Sequence, residues 1–266
     1  MYATNYHRAS SVEEAVKLVS GSDEAKYLSG GQTLLPTMKQ RLAAPSDLVD
    51  LRHVSDMKGI SVNGNSIRIG AGTTHAEVAG SSEIANACPA LVHLAAHIGD
   101  PHVRHMGTIG GSIANNDPAA DYPAGLLALN ATIVTSKRSL TAGDFFTGMF
   151  DTALDEGELI VAVEITAPAK SGYSKFPNPA SRYAMAGVFV AKAGDGSVRV
   201  AVTGAGSDGV FRHAGMEQAL TSDFSAAALD GVEVDDSDLM SDMHASSVYR
   251  ASLVKVMAKR AVAAAG

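Results

Sequence analysis

Two segments place adjacent glycines beside hydroxyl or amide side chains: Ser29-Gly-Gly-Gln-Thr-Leu34 and Thr108-Ile-Gly-Gly-Ser112. Glycine lets a backbone approach a phosphate without Cβ interference. Consecutive N–H groups form an anion nest, to which hydroxyls add donors. Two such loops could grip a pyrophosphate between them. The competing reading is a pair of tight turns, and spacing alone does not choose between the two. A third segment, Asn115-Asn-Asp-Pro-Ala-Ala-Asp121, holds two carboxylates. Asp117 and Asp121 either cap the next helix from a solvated loop or bind a sugar hydroxyl or heterocycle N–H.

Two further patterns imitate chemistry. His93 and His97 lie four apart on a predicted helix, and His102 and His105 follow. Histidines at that spacing can share zinc. However, no glutamate stands between the first two, so the H-E-x-x-H pattern is absent; they read better as ordinary helix and loop histidines, and no metal set is assigned. Gly204-Ala-Gly206-Ser-Asp-Gly209 matches the dinucleotide fingerprint G-x-G-x-x-G. That fingerprint needs a helix opening at the glycines and a parallel strand beyond. Val210-Phe-Arg-His follows instead, so this is a turn leaving a hairpin.

Composition narrows the chemistry. Cys88 is the single cysteine among 266 residues. It can form no intrachain disulfide, and this chain alone lacks the thiolates of an iron–sulfur cluster or cysteine-rich zinc site. Redox chemistry would need an organic cofactor or a metal held without thiolates. The formal charge of −7, with scattered lysines and arginines, argues against nucleic acid or anionic membrane as the main partner. No apolar run reaches the roughly 20 residues of a bilayer span, and no signal-peptide pattern opens the chain.

The elements that must position these residues alternate. Ser11 with Glu14 fits a capping box, and Val12, Ala15, Val16 and Val19 repeat at helical spacing. Ala25–Leu28 and Asp47–Leu51 are predicted strands around a predicted helix, Thr33–Leu42. Ser66–Ile69 is a predicted strand, Thr74 and Glu77 a second capping box, and Ala90–His97 a helix. Pro123–Leu129 is predicted helical, Ala131–Thr135 and Leu159–Ile165 strands. A boundary is expected at Ala167–Gly172. Tyr183–Ala191 and Val198–Thr203 then flank Gly194-Asp-Gly196, a hairpin signal. A last helix is expected over Ser247–Ala261, with Tyr249, Leu253, Val256 and Met257 on its apolar side.

The order of the first glycine segment, then Gly107-Thr-Ile-Gly-Gly-Ser-Ile-Ala-Asn-Asn-Asp-Pro-Ala-Ala-Asp121, then Glu158-Leu-Ile160, resembles the FAD-binding medium subunit of molybdenum hydroxylases. That family includes aerobic carbon-monoxide dehydrogenase and xanthine dehydrogenase. Tyr173-Ser-Lys-Phe-Pro-Asn-Pro-Ala-Ser-Arg-Tyr-Ala184 is similar to its bacterial members, and the likeness covers nearly the whole chain. The resemblance implies an α+β chain. A two-lobed FAD-binding domain of the vanillyl-alcohol-oxidase (PCMH) type would occupy 1–168, with lobes about 1–57 and 58–168. A smaller C-terminal domain, an antiparallel sheet with helices, would occupy 172–266. It implies FAD contacts from Ser29, Gly30, Gly31, Gln32, Thr33, Leu34, Thr108, Ile109, Gly110, Gly111, Ser112, Asp121, Ile160 and Lys175. Tyr183 would cover one flavin face. Many relatives read Gln-x-Arg-Asn before the second glycine pair, whereas this chain has His102-Val-Arg104-His105-Met106.

The resemblance further implies a division of labour. A large subunit with molybdenum cofactor hydroxylates the substrate, and electrons pass through two [2Fe–2S] clusters on a small subunit to FAD, then to an external acceptor. Such complexes imply a dimer of heterotrimers in the cytoplasm, associated through the complex with the inner membrane face. No catalytic acid or base is expected in this chain. A free-standing FAD oxidoreductase of the same fold and a non-enzymatic assembly subunit remain the alternatives.

Overall fold

The computed structural model describes residues 1–265. The chain opens with β1 (Asn5–Arg8), α1 (Val12–Val19), β2 (Lys26–Leu28), α2 (Leu34–Lys39) and β3 (Asp47–Asp50). The strands form a parallel sheet ordered β1-β3-β2, with Asn5 opposite Asp47 and Lys26 opposite Leu48. Ser11 caps α1 by accepting the Glu14 N–H. The predicted box is not closed, because the Glu14 carboxylate reaches Ser10 instead of Ser11. Strand β1 lacks the apolar alternation that would reveal it in the sequence. Its pairing with β3 and a Tyr6 hydroxyl bond to buried Asp50 at 2.5 Å hold it in place.

The second part begins with the hairpin β4 (Ile60–Asn63) and β5 (Ser66–Gly70). A run of helices follows: α3 (His75–Ala79), α4 (Ser82–Ala87), α5 (Pro89–Ala96), α6 (Pro101–Met106), α7 (Ile109–Asn115) and α8 (Asp121–Ala128). Then come β6 (Thr132–Thr135), β7 (Ser139–Thr141), α9 (Ala142–Phe145), β8 (Phe146–Gly148), β9 (Asp151–Thr152) and β10 (Ile160–Thr166). The main sheet is antiparallel, ordered β4-β5-β10-β6-β7. Thr74 and Glu77 close a full capping box on α3, as their spacing predicts.

The third part is the antiparallel sheet β11 (Lys170–Pro177), β12 (Ala184–Lys192), β13 (Val198–Thr203) and β14 (Phe211–Arg212). Two helices accompany it, α10 (Ala214–Ser222) and α11 (Ser247–Ala264). Strand β11 already pairs at Lys170 with Lys192, so the sheet starts inside the segment read as a boundary. Residues Ala184–Ala191 of β12 are buried throughout, because α8 and α11 both pack on that strand. A strand covered on both faces reads as a continuous apolar run. The glycine-rich look-alike after β13 opens no helix. Gly204 and Gly209 adopt φ of +79° and +99° in a turn leading to β14, which pairs antiparallel to β13.

The buried face of α11 differs from the expected stripe. Leu253 and Met257 are buried, but Tyr249 and Val256 are exposed. The covered face instead carries Arg250, Val254, Ala258 and Ala261. Small residues decide this: the Ala261 carbonyl lies 1.9 Å from where a Cβ on Gly172 would stand, so helix and strand touch backbone to backbone. No helix among the described residues is long and apolar enough to cross a membrane.

Buried Arg250 ties α11 to the sheet. Its guanidinium donates to the Met185 and Gly204 carbonyls at 2.7 and 2.6 Å and pairs with Asp242 at 2.7 Å. Arg250→Ala leaves both carbonyls without that donor. Removing one partner from a buried set costs about 3 kcal/mol, so the urea midpoint followed by circular dichroism should fall accordingly. An unchanged midpoint would contradict the assigned role.

Candidate functional site

A cavity of about 650 Å³ takes its walls from all three parts of the chain. The first wall is the segment after β2. Gly31 turns it with φ +70°, a conformation that costs glycine little. Among the described residues, the N–H groups of Gly30, Gly31, Gln32 and Thr33 find no protein acceptor. They make a run of free donors on the cavity wall, which is the makeup of an anion nest.

The second glycine segment is not the loop its sequence suggests. Ile109–Asn115 is helix α7, with Thr108 as its N-cap accepting the Gly111 N–H at 3.1 Å. Adjacent glycines disfavour a helix by about 1 kcal/mol each, but close packing requires one of them. A Cβ on Gly110 would stand 2.6 Å from the Ala71 Cβ and 2.8 Å from its carbonyl oxygen. Gly111 differs, since a Cβ there would meet only Thr108 Oγ1, at 3.0 Å, and otherwise the open cavity. The two segments touch: Ser29 Oγ and Thr108 Oγ1 are 2.9 Å apart, and the Met106 carbonyl oxygen lies 2.1 Å from a Cβ built on Gly30.

Deeper in, Asp121 opens α8 and is buried. The Tyr173 hydroxyl donates to its Oδ1, and Lys175 Nζ donates to Oδ2 at 3.0 Å and to the His97 carbonyl at 3.0 Å. Burial raises the Asp121 pKa, against the opposing pull of Lys175 and Tyr173. Tyr183 stands at the rim, about half exposed, on the turn before β12. Burial and the nearby Asp117 and Asp121 charges raise its pKa. On the other side Glu158 precedes Leu159 and Ile160. Burial would raise its pKa, but donors from Arg138, Thr135 and the Asp155 N–H outweigh that and hold it at about 2. Those bonds fix the strand entry that presents Ile160 to the cavity.

Ser29, Gly30, Gly31, Gln32, Thr33, Leu34, Thr108, Gly110, Gly111, Ser112, Asp121, Ile160 and Tyr183 all line this one cavity. Two of the expected residues do not. Ile109 is fully buried in the core with its N–H taken by the Thr73 carbonyl, because the helix start turns that side chain inward. Lys175 stops short of the wall, held against Asp121. Asp117 lines the wall but spends one carboxylate oxygen on the Ala119 N–H.

Sequence reasoning missed Tyr27, His75, Asp100 and Arg182 on the walls. His75 could have been found as the first residue after the Thr74 cap. It is buried, burial and the Arg104 charge push its pKa down to about 4, and its Nδ1 has no partner. The remaining histidines gather no ligand set: among the described residues no group of three metal-binding side chains occurs. His93 and His97 instead lie ring against ring, 4.2 Å between centroids.

Comparison with known proteins places this geometry. The family described as FAD binding domain in molybdopterin dehydrogenase matches residues 2–168. The nicotine 6-hydroxylase medium subunit of Paenarthrobacter nicotinovorans is 34% identical, covering 99% of this chain and 98% of that one. The glyceraldehyde dehydrogenase medium chain of Sulfolobus acidocaldarius is 38% identical over 70% of this chain and 69% of that one. The solved structure of reconstituted CO dehydrogenase from Oligotropha carboxidovorans superposes with a TM-score of 0.89 at 32% identity. It covers 99% of this chain and 97% of that chain.

The two helical glycines should separate on substitution. Gly110→Val drives a side chain into the Ala71 backbone and should lower stability by about 1–3 kcal/mol, as overpacking does. Gly111→Val meets only the Thr108 hydroxyl, at 3.0 Å from its Cβ, and should stay within about 1 kcal/mol of the parent. Urea unfolding followed by circular dichroism checks both, and equal losses would show that the two positions are not distinguished by packing.

Proposed function

The chain belongs to the family of FAD-binding domains in molybdopterin dehydrogenases, and from that premise we propose that FAD lies extended in its cavity along both glycine segments. The chain is an FAD-binding medium subunit of the molybdenum hydroxylase type, the flavoprotein component of an oxidoreductase. Its role is electron transfer within a complex whose large and small partners carry the molybdenum cofactor and the iron–sulfur clusters. When bound, FAD supplies the electron chemistry that no side chain here offers.

The observation that carries the proposal is the run of free N–H groups from Gly30 to Thr33 beside the open side of Gly111. Diphosphate oxygens require such donors, and a backbone without Cβ lets them come close. The residues present fit the group. Ser29 and Thr108 hydroxyls stand between the two segments. Buried Asp121 offers an acceptor to a ribityl hydroxyl or ring N–H, with Lys175 supporting it from behind. Tyr183 would cover one ring face, where aromatic stacking contributes about 0.5–1.5 kcal/mol beyond burial. Ile160 supplies an apolar contact that excludes water.

The reading extends to architecture and assembly. The parallel and antiparallel sheet lobes of 1–168 correspond to the two-lobed PCMH type, and 172–266 to the C-terminal domain of medium subunits. A dimer of heterotrimers is the proposed assembly, cytoplasmic and reaching the inner membrane face through the complex. The similar chains belong to enzymes named for glyceraldehyde and for nicotine, so substrate choice falls to the large subunit.

Gly111→Val should abolish FAD retention after desalting, read as flavin absorbance per chain, while the protein stays folded. Gly209→Ala, in the fingerprint look-alike at φ +99°, should cost about 1 kcal/mol of stability and keep full flavin. Acid precipitation should release all of that flavin into the supernatant. Flavin retained by Gly111→Val, or lost by Gly209→Ala, would overturn the site assignment.

A further inference from the structure

One polar side chain beside the cavity is left over by the reading above. Tyr173 lies on β11, does not line the cavity, and is 2% exposed. Its neighbour on the same strand face, Lys175, suffices to pair Asp121 by charge. Yet the Tyr173 hydroxyl also points to that carboxylate, and the fold makes space for it. Gly187 on β12 stands opposite Lys175, and a Cβ there would come within 2.7 Å of the Tyr173 hydroxyl oxygen. Phe189 lies against the ring from the same strand, 6.0 Å between centroids. Ring and hydroxyl are both fixed, and the hydroxyl has a single acceptor.

We propose that Tyr173 is a positioning residue of the cofactor site, holding the Asp121 carboxylate turned toward the cavity so that it accepts a hydrogen bond from FAD. The role rests on the assignment of Asp121 to the FAD site and goes beyond it. A carboxylate in the first turn of a helix could rotate to serve its own backbone. With Tyr173 on Oδ1 and Lys175 Nζ set between the two oxygens, 2.9 Å from Oδ1 and 3.0 Å from Oδ2, the plane of the group is fixed. The same two donors oppose the rise in pKa that burial imposes on it.

Every charged or titratable neighbour enters that balance. Lys175 and Tyr173 reach Asp121 from β11, and His97 adds a favourable field from the end of α5. Tyr122 on α8 and Tyr183 at the rim are themselves raised in part by the Asp121 charge. Without the Tyr173 hydroxyl, Lys175 is the remaining side-chain donor to Asp121, and protonation moves toward neutral pH. A protonated Asp121 loses its charge-assisted bond to the ligand, a loss of about tenfold in affinity or more.

The test is the FAD dissociation constant of the full chain at pH 6.0 and pH 8.5. The parent should vary by less than about threefold. Tyr173→Phe should bind about threefold more weakly than the parent at pH 8.5, where only the orientation of Asp121 is lost, and about tenfold more weakly at pH 6.0. His97 is common to both proteins, so its field on Asp121 cancels in the comparison. Gly187→Ala keeps the tyrosine but displaces its hydroxyl and should give the same profile, which covers the case in which Tyr173→Phe fails to fold. Identical pH profiles for the parent and the altered chains would overturn the role. Asp121→Asn separates the two levels. Weakened binding at both pH values upholds the site, so parent-like binding by Tyr173→Phe at both pH values would then refute the positioning role alone. Parent-like binding by Asp121→Asn would remove the site assignment and the proposal together.

Discussion

The carbonyl of Met106 occupies the place where residue 30 would carry its Cβ. That close approach joins the parallel sheet lobe to the helix α7 start, and the Ser29–Thr108 hydroxyl bond seals it. Each glycine therefore has its own task. Gly30 admits the Met106 backbone, Gly31 turns with positive φ, Gly110 admits Ala71, and Gly111 leaves its open side to the cavity. Only the last leaves space for a ligand. The site is thus a by-product of two backbones packed without side chains between them, and the elements around it serve to hold that contact.

Legibility followed the strength of local signals. Thr74 with Glu77 marked a helix start that the structure reproduces bond for bond, and the Gly194–Gly196 turn joins β12 to β13 as read. Where a signal depended on tertiary contact, reading failed. The glycine pair at 110–111 looked like a loop because propensity cannot register the Ala71 backbone beside it. The face of α11 was misjudged because Val256 is apolar but lies off the contact, whereas Ala258 and Ala261 allow it. Strand β4 carried a usable cue that was overlooked: Asn63-Gly64 marks a tight hairpin turn, and Gly64 indeed has φ +60°. The site itself was readable as types and order, but not as a shape. Nothing in the spacing of Ser29 and Thr108 announced that their hydroxyls would meet.

The third part of the chain contributes more than a lid. Thr203 on β13 donates to the Pro118 and Ala120 carbonyls at 3.0 and 2.6 Å, just before Asp121. Strand β11 brings Tyr173 and Lys175 to the same carboxylate, and Tyr183 stands just before β12. The C-terminal sheet therefore sets the inner corner of the cavity from behind. Such rigidity suits a subunit whose cofactor does the chemistry, because the protein must hold a ring at fixed distance from a donor it does not itself contain.

That division of labour is open to one direct measurement. The chain carries one cysteine, so it relies on partners for clusters. Purification of the tagged chain from its native source, with flavin, iron and molybdenum assayed across the elution profile, reports on it. The account predicts that the three co-elute in constant ratio with two further polypeptides. A chain that elutes alone, holding flavin and oxidising a small organic substrate at enzymatic rates, would contradict it.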